Sequence, residues 1–146
     1  MKIQQANNKD VAHIANLAVL LWPEQSLAEM LSEVSETIED SNTIYFLAVD
    51  KAQAVGFATA TLRVDYVEGT HTSPVGYLEG IFILEQYRNK EIGTQLLKAF
   101  EHWAQQRGCI EFASDCALNN VESLAFHLSY GFEEVNRIIC FKKTLG

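Results

Sequence analysis

The chain has 146 residues, 48% hydrophobic and 21% charged, which suits one domain, 1–146, with a full core and leaves no stretch polar and repetitive enough for disorder. Its 11 Lys and Arg against 19 Asp and Glu give a net charge of −8. That balance argues against nucleic acid, whose affinity rests on phosphate neutralisation, and favours a cationic ligand unless the acidity serves only solubility.

No apolar run approaches the roughly 18 residues of a membrane span, and the start "MKIQQANNKD" lacks the apolar core of a signal peptide. A cytoplasmic protein is expected. Cys109, Cys116 and Cys140 are an odd number without C-x-x-C spacing, as in a reducing compartment, and His13, His71, His102 and His127 are too scattered for helical metal-ligand spacing. No metal site is expected.

In chain order, "KIQQA" (2–6) alternates like a short strand. "NNKDVAHIANLAVLLW" (7–22) follows with Val11, Ile14, Ala15, Ala18 and Leu21 at helical spacing, and Pro23 stops it. "SLAE" (26–29) is a capping box that opens a second helix to about Asp40. The period then changes: "TIYFLAVD" (43–50), "AVGFATATLRVDYV" (54–67) and "GYLEGIFIL" (76–84) are rich in β-branched and aromatic residues, and "DKAQ" is short enough for a hairpin. Three consecutive antiparallel strands are expected. From Asn89 the helical period returns, with Ile92, Leu96, Leu97, Phe100 and Trp103 or Ala104 on one face, ending at Gly108. "CIEFASD" (109–115) reads as a strand, "NNVESLAFHLSY" (119–130) as a helix stopped by Gly131, and "GFEEVNRIICFKKTL" as one or two final strands. The order βααβββαβαβ indicates a mixed α/β sheet with helices on both faces.

"YRNKEIGTQLLKAF" (87–100) opens a helix whose first amides lack intrahelical partners, with Arg88 and Lys90 adding positive charge. The stretch alone reads more readily as a solvated helix start than as an anion cradle, because neither G-x-x-x-x-G-K-[ST] nor G-x-G-x-x-G is present.

The wider context adds a resemblance. "LEGIFILEQYRNKEIGTQLLKAFEHWAQQRG" (78–108) resembles the acyl-coenzyme A motif of the GCN5-related N-acetyltransferases, strand then R-x-x-G-x-G/A then helix, and "NNVESLAFHLSYGF" (119–132) resembles their second motif. "LWP" (21–23), "DYVEGT" (65–70), "SPVGYLEGI" (73–81), "EFASD" (111–115) and "GFEEVNRIICFKK" (131–143) are similar to the aminoglycoside 6′-N-acetyltransferases. The resemblance implies a mostly antiparallel sheet with splayed central strands and acetyl-CoA (acetyl-coenzyme A) as co-substrate. It implies a cationic aminoglycoside as acceptor, acylated at its 6′-amino group in a ternary complex, and a role in antibiotic resistance. A homodimer through "IICFKK" is also expected.

The resemblance further implies residue roles. Glu79 matches the family's glutamate base, Asp115 a substrate-binding or catalytic acid, and Trp22 and Tyr66 the aromatics flanking the drug. The amides of Ile81, Phe82 and Ile83 would meet the pantetheine arm and the thioester oxygen. Those of Arg88, Asn89, Lys90, Glu91, Ile92, Gly93 and Thr94 would meet the pyrophosphate, and Asn120 the pantetheine. Glu91 stands where the first glycine of the motif is usual, so its side chain is expected to point away from the cofactor. His127 replaces a tyrosine common among relatives, and His127 and Tyr130 are rival acids for the leaving thiolate. Acetylation of a polyamine or protein amino group, and a non-catalytic acyl-CoA sensor, are the alternatives.

Overall fold

The computed structural model describes residues 1–146. A five-stranded sheet of order β1-β2-β3-β4-β5 is built from β1 (Lys2–Gln5), β2 (Thr43–Asp50), β3 (Gln53–Arg63), β4 (Val75–Ile83) and β5 (Phe112–Ala113). Its first three pairings are antiparallel and β4–β5 is parallel. Helices α1 (Val11–Leu21) and α2 (Leu27–Thr37) precede β2, α3 (Ile92–Gln106) links β4 to β5, and α4 (Val121–Tyr130) follows.

The alternation of β2 divides the core. Ile44, Phe46 and Ala48 pack with Leu96, Leu97, Phe100 and Trp103 of α3. Tyr45 and Leu47 pack with Ile14, Leu17, Met30 and Val34 of α1 and α2. A period of two on a strand thus commits successive residues to opposite layers, and one helix layer covers each face. Phe57 and Phe100 are wholly buried, one in each layer. Such burial stabilises by about 1.5–3 kcal/mol per large apolar side chain.

Local signals act as the sequence indicates. Ser26 accepts from the Glu29 amide at 3.1 Å while Glu29 accepts from the Ser26 amide at 2.9 Å, so both arms of the capping box form. β2 and β3 join through Lys51 and Ala52, both at positive φ (49° and 65°), as a tight hairpin turn requires.

Two expectations change. The strand expected over 109–115 shortens to Phe112–Ala113, and after Gly131 no strand forms at all. Residues 133–146 are exposed, with Ile139 at 79% and Phe141 at 90% exposure. The β-propensity of "RIICFKK" is real, but a strand forms only where a neighbouring edge supplies hydrogen bonds and packing.

Gly93 is buried at the start of α3, where an added Cβ would lie 2.8 and 2.9 Å from Cε1 and Cζ of Phe126 on α4. The missing side chain is therefore a seat for Phe126. Gly93→Ala is expected to lose about 1–3 kcal/mol of stability by overpacking, measured by urea unfolding, with Phe126→Leu restoring most of it. An unobstructed helical position would instead gain from the same change.

Candidate active site

β5 is held to β4 only at Gly76 with Phe112 and Tyr77 with Ala113. Beyond Tyr77 the two strands part, so Leu78 to Ile83 keep β3 as their only ladder partner. The splay leaves one edge of Ile81, Phe82 and Ile83 without a strand neighbour, while their side chains pack into the two core layers.

At the far end of β4 a short 3₁₀ turn (Glu85–Tyr87) leads to the N-terminus of α3. No side chain caps α3, unlike α2, capped by Ser26, and α4, capped by Asn120. The first amides of α3 are thus left for another acceptor, and the helix dipole favours an anion there. Asn89 and Glu91 both adopt φ of 63°, which folds the loop tightly around those amides. Arg88 turns back, its Nε donating to the Ile83 carbonyl at 2.8 Å, and the Lys90 ammonium lies 5.5 Å from the Tyr87 ring centre. Asn120 Oδ1 accepts from the Ser123 amide at 3.0 Å, so its oxygen serves α4 and only its amide N–H groups are free.

A cleft of about 700 Å³ opens where β5 leaves the sheet. Glu68, Glu101, Glu111, Asp115, Glu133 and Glu134 line it, against Arg63 and Arg137. Both guanidiniums are paired, Arg63 with Glu79 at 2.9 Å and Arg137 with Glu134 at 2.7 Å, so the wall is electronegative. Tyr66, 76% exposed, stands at its rim. Glu111 anchors the neighbouring loop by accepting from the amides of His71 and Thr72, at 2.9 and 2.8 Å, and these bonds, with that of the Thr72 hydroxyl, hold its carboxyl below the usual range.

The structure separates the two aromatic–acid pairs. Tyr66 and Asp115 line this cleft, whereas Trp22 and Glu79 line a second cavity of about 460 Å³ beside α1 and α2, with Glu24. Trp22 lies over Gly80, where a Cβ would come 2.6 Å from its ring. Glu79 Oε2 accepts from Thr61 Oγ1 at 2.6 Å and from Arg63 Nε at 3.1 Å, while Oε1 accepts only from Arg63 Nη2 at 2.9 Å. Arg63 and Thr61 were not singled out by sequence; their i, i+2 spacing on β3 was the available signal, but it needed the register opposite Tyr77 to be read.

The two candidate acids are both engaged. His127 Nδ1 lies 2.7 Å from the Ser123 carbonyl, which can only accept, so Nδ1 carries the proton. Its Nε2 lies 2.8 Å from Ser114 Oγ, so both ring nitrogens are already held by neighbouring groups. Burial and the nearby Glu101 carboxylate hold the Tyr130 hydroxyl well above the usual phenol range, which makes it a poor donor to a thiolate.

The profile of the acetyltransferase (GNAT) family matches residues 9–132. The chain belongs to that family. Two curated GNAT relatives, each named aminoglycoside N(6′)-acetyltransferase type 1, are 42% identical (Acinetobacter genomosp. 13) and 41% identical (Acinetobacter baumannii). Each comparison covers 100% of both chains. The solved apo enzyme AAC(6′)-IG from Acinetobacter haemolyticus superposes with a TM-score of 0.95 at 38% identity over 100% of both chains. AAC(6′)-Iy in complex with the bisubstrate analogue CoA-S-monomethyl-acetylneamine superposes with a TM-score of 0.94 at 36% identity, covering 99% of this chain and 98% of that one. The GNAT fold with its parted strands is therefore the architecture of this chain.

Glu91 departs from the glycine of the GNAT loop at a left-handed backbone position, where a Cβ costs about 1–2 kcal/mol. Its side chain is exposed and makes no cap bond. Glu91→Gly is expected to raise stability by about 0.5–1 kcal/mol, once the greater freedom of unfolded glycine is subtracted. Urea unfolding measures it, and an unchanged midpoint would show that the loop absorbs the strain.

Proposed function

We propose that this chain, acting as a single domain in the cytoplasm, transfers the acetyl group of acetyl-CoA to the 6′-amino group of aminoglycosides and so confers resistance. The observation that carries this reading is the pair of features that the parting of β4 and β5 sets along one strand, a carboxylate-walled cleft at the parting and an uncapped helix N-terminus past the other end of β4. A polycationic sugar fits the first feature and a pyrophosphate the second. Acetylation removes one positive charge and weakens the drug's hold on RNA, which depends on phosphate neutralisation.

The residues present fit acetyl-CoA. The free edge of Ile81 to Ile83 offers amides to the pantetheine arm and to the thioester oxygen, where negative charge develops. The turn from Arg88 to Thr94 offers helix-start amides to the pyrophosphate, and the Asn120 amide group faces the same arm from α4.

The amine attacks the thioester carbonyl directly, a C–N bond forming as the C–S bond breaks. An alkylammonium must first lose a proton, and Glu79 is the base. Oε2 is saturated by Thr61 and Arg63, whereas Oε1 accepts a single bond and keeps a lone pair for the amine or an intervening water. The thiolate, with an ordinary pKa of about 8.5, needs little help in leaving, in keeping with the engagement of His127 and Tyr130 elsewhere. Asp115 and Tyr66 hold the sugar from the carboxylate-walled cleft and Trp22 from the cavity that contains Glu79, the two sides meeting at Arg63.

Steady-state assays of coenzyme A release across aminoglycosides test this reading. Kanamycin and tobramycin are expected to be substrates and 6′-hydroxyl compounds not; turnover of a polyamine with none on these drugs would overturn it. Glu79→Gln is expected to lower kcat/KM for the drug by about 10²–10⁴, the range of a general base, with little change in the KM for acetyl-CoA.

The reading extends to a homodimer. Residues 133–146 leave Ile138, Ile139, Phe141 and Leu145 at 65–90% exposure on a strand-prone arm, and β5 ends the sheet with its outer edge unpaired. A second copy supplies the missing edge. Sedimentation is expected to show a dimer that Ile139→Asp with Phe141→Asp converts to monomer; a monomeric parent chain would refute the assembly.

A further inference from the structure

Tyr77 has no part in the roles assigned above, yet it touches both of their acidic residues' surroundings. It sits opposite Thr61 on β3, one alternation from Glu79 on the same face of β4, and is only 7% exposed. Its hydroxyl donates to Asp115 Oδ2. Its ring carries the Arg63 guanidinium, whose carbon lies 3.5 Å from the ring centre, and that guanidinium grips Glu79. Glu79, Arg63, Tyr77 and Asp115 therefore form one continuous chain of contacts between the two cavities.

Asp115 needs such a support. It follows β5 by two residues, in irregular and exposed backbone, and the Tyr77 hydroxyl is the only donor within hydrogen-bond distance of its carboxylate. A carboxylate free to rotate there would have to be ordered by each incoming substrate, and fixing it in advance removes that cost.

We propose that Tyr77 is a positioning residue: its hydroxyl fixes the Asp115 carboxylate at the cleft in the orientation that receives an ammonium group of the acceptor, while its ring seats Arg63 against Glu79. The inference rests on the reading of Asp115 as a substrate contact. An O–H donated to an ionised carboxylate is a strong, charge-assisted bond with a defined direction. Burial, and then the Asp115 carboxylate, hold the Tyr77 proton more firmly than in a free phenol, so the hydroxyl stays a donor through the working pH range. The bond also uses only one of the lone pairs of Asp115, and the rest face the cleft.

Tyr77→Phe removes the hydroxyl and keeps the ring under Arg63, so it isolates the proposed role. The test is a double-mutant cycle of Tyr77→Phe with Asp115→Ala, reading KM and kcat for kanamycin, KM for acetyl-CoA and the thermal midpoint. Tyr77→Phe is expected to lower kcat/KM for kanamycin about tenfold, mainly through KM, the loss of one oriented charge contact, with acetyl-CoA KM and midpoint near the parent values. In the Asp115→Ala background the same change is expected to have less than about a twofold effect, because coupled residues are not additive. Equal losses in both backgrounds, a parallel rise in acetyl-CoA KM, or no loss in the parent background would overturn the positioning role. If Asp115→Ala alone leaves kcat/KM unchanged, the substrate contact of Asp115 is wrong and this inference falls with it. If Asp115→Ala is damaging and Tyr77→Phe is not, only the role of Tyr77 falls.

Discussion

The parallel pairing of β4 with β5 ends after two positions, and the rest of the site follows from that limit. Gly76 sits at the first of them, where a Cβ would lie 2.9 Å from the Ala104 methyl and 3.2 Å from the Phe112 ring. Its bare backbone lets α3 and Phe112 close on the strand together. From there β5 is drawn away, Phe112 onto the ring of Phe132 and Ser114 toward His127 on α4. A longer ladder would satisfy the amides of β4 and leave no edge for a ligand. A shorter one would cost Asp115 its place beside Tyr77.

The electrostatics follow the same geometry. Six of the chain's 19 carboxylates, against two of its 11 Lys and Arg, line one cleft, so part of the acidic excess is concentrated where a cation would be attracted. The two guanidiniums there are each paired with a carboxylate, and each leaves the net sign of the wall unchanged. Arg63 is half-exposed, so its pairing with Glu79 contributes orientation more than stability. It keeps one carboxylate oxygen saturated and the other open, an asymmetry that a general base needs and a simple surface ion pair does not.

Much of this was legible in the sequence where the signal is local. The capping box of Ser26 and Glu29, the two-residue hairpin at Lys51 and Ala52, and the apolar face of α3 each depend on residues within a few positions of one another. Glu79, Asp115, Trp22 and Tyr66 were reached through motif resemblance. Arg63 and Tyr77 were not, because their meaning lies in cross-strand register, which a one-residue bulge between Thr59 and Ala60 shifts. The resemblance assigns Gly93 only a loop amide, whereas the nearest neighbour of its bare Cα is Phe126, a contact that needs α4 folded back on α3. The proton on His127 depends likewise on a carbonyl one turn earlier and a hydroxyl on another element.

The C-terminal arm shows where reading by propensity ends. "RIICFKK" has the β-branched and aromatic content of a strand, yet in a single copy it stays irregular while β2, of similar character, is fully paired. The difference lies in what is available to pair with. β2 has two neighbours in its own sheet, whereas the arm is held only through side chains, Val135 against Gly69 and Asn136 Nδ2 donating to Glu68 Oε1 at 2.7 Å, and pairs with no strand. Apolar side chains so exposed are unfavourable in water, and an edge strand left open invites a partner chain. Val135 to Ile138 also form part of the cleft wall, so covering the arm and completing the site are one structural problem. In the proposed dimer the same contact that covers the arm would also fix this part of the wall, so affinity for a cation would follow assembly.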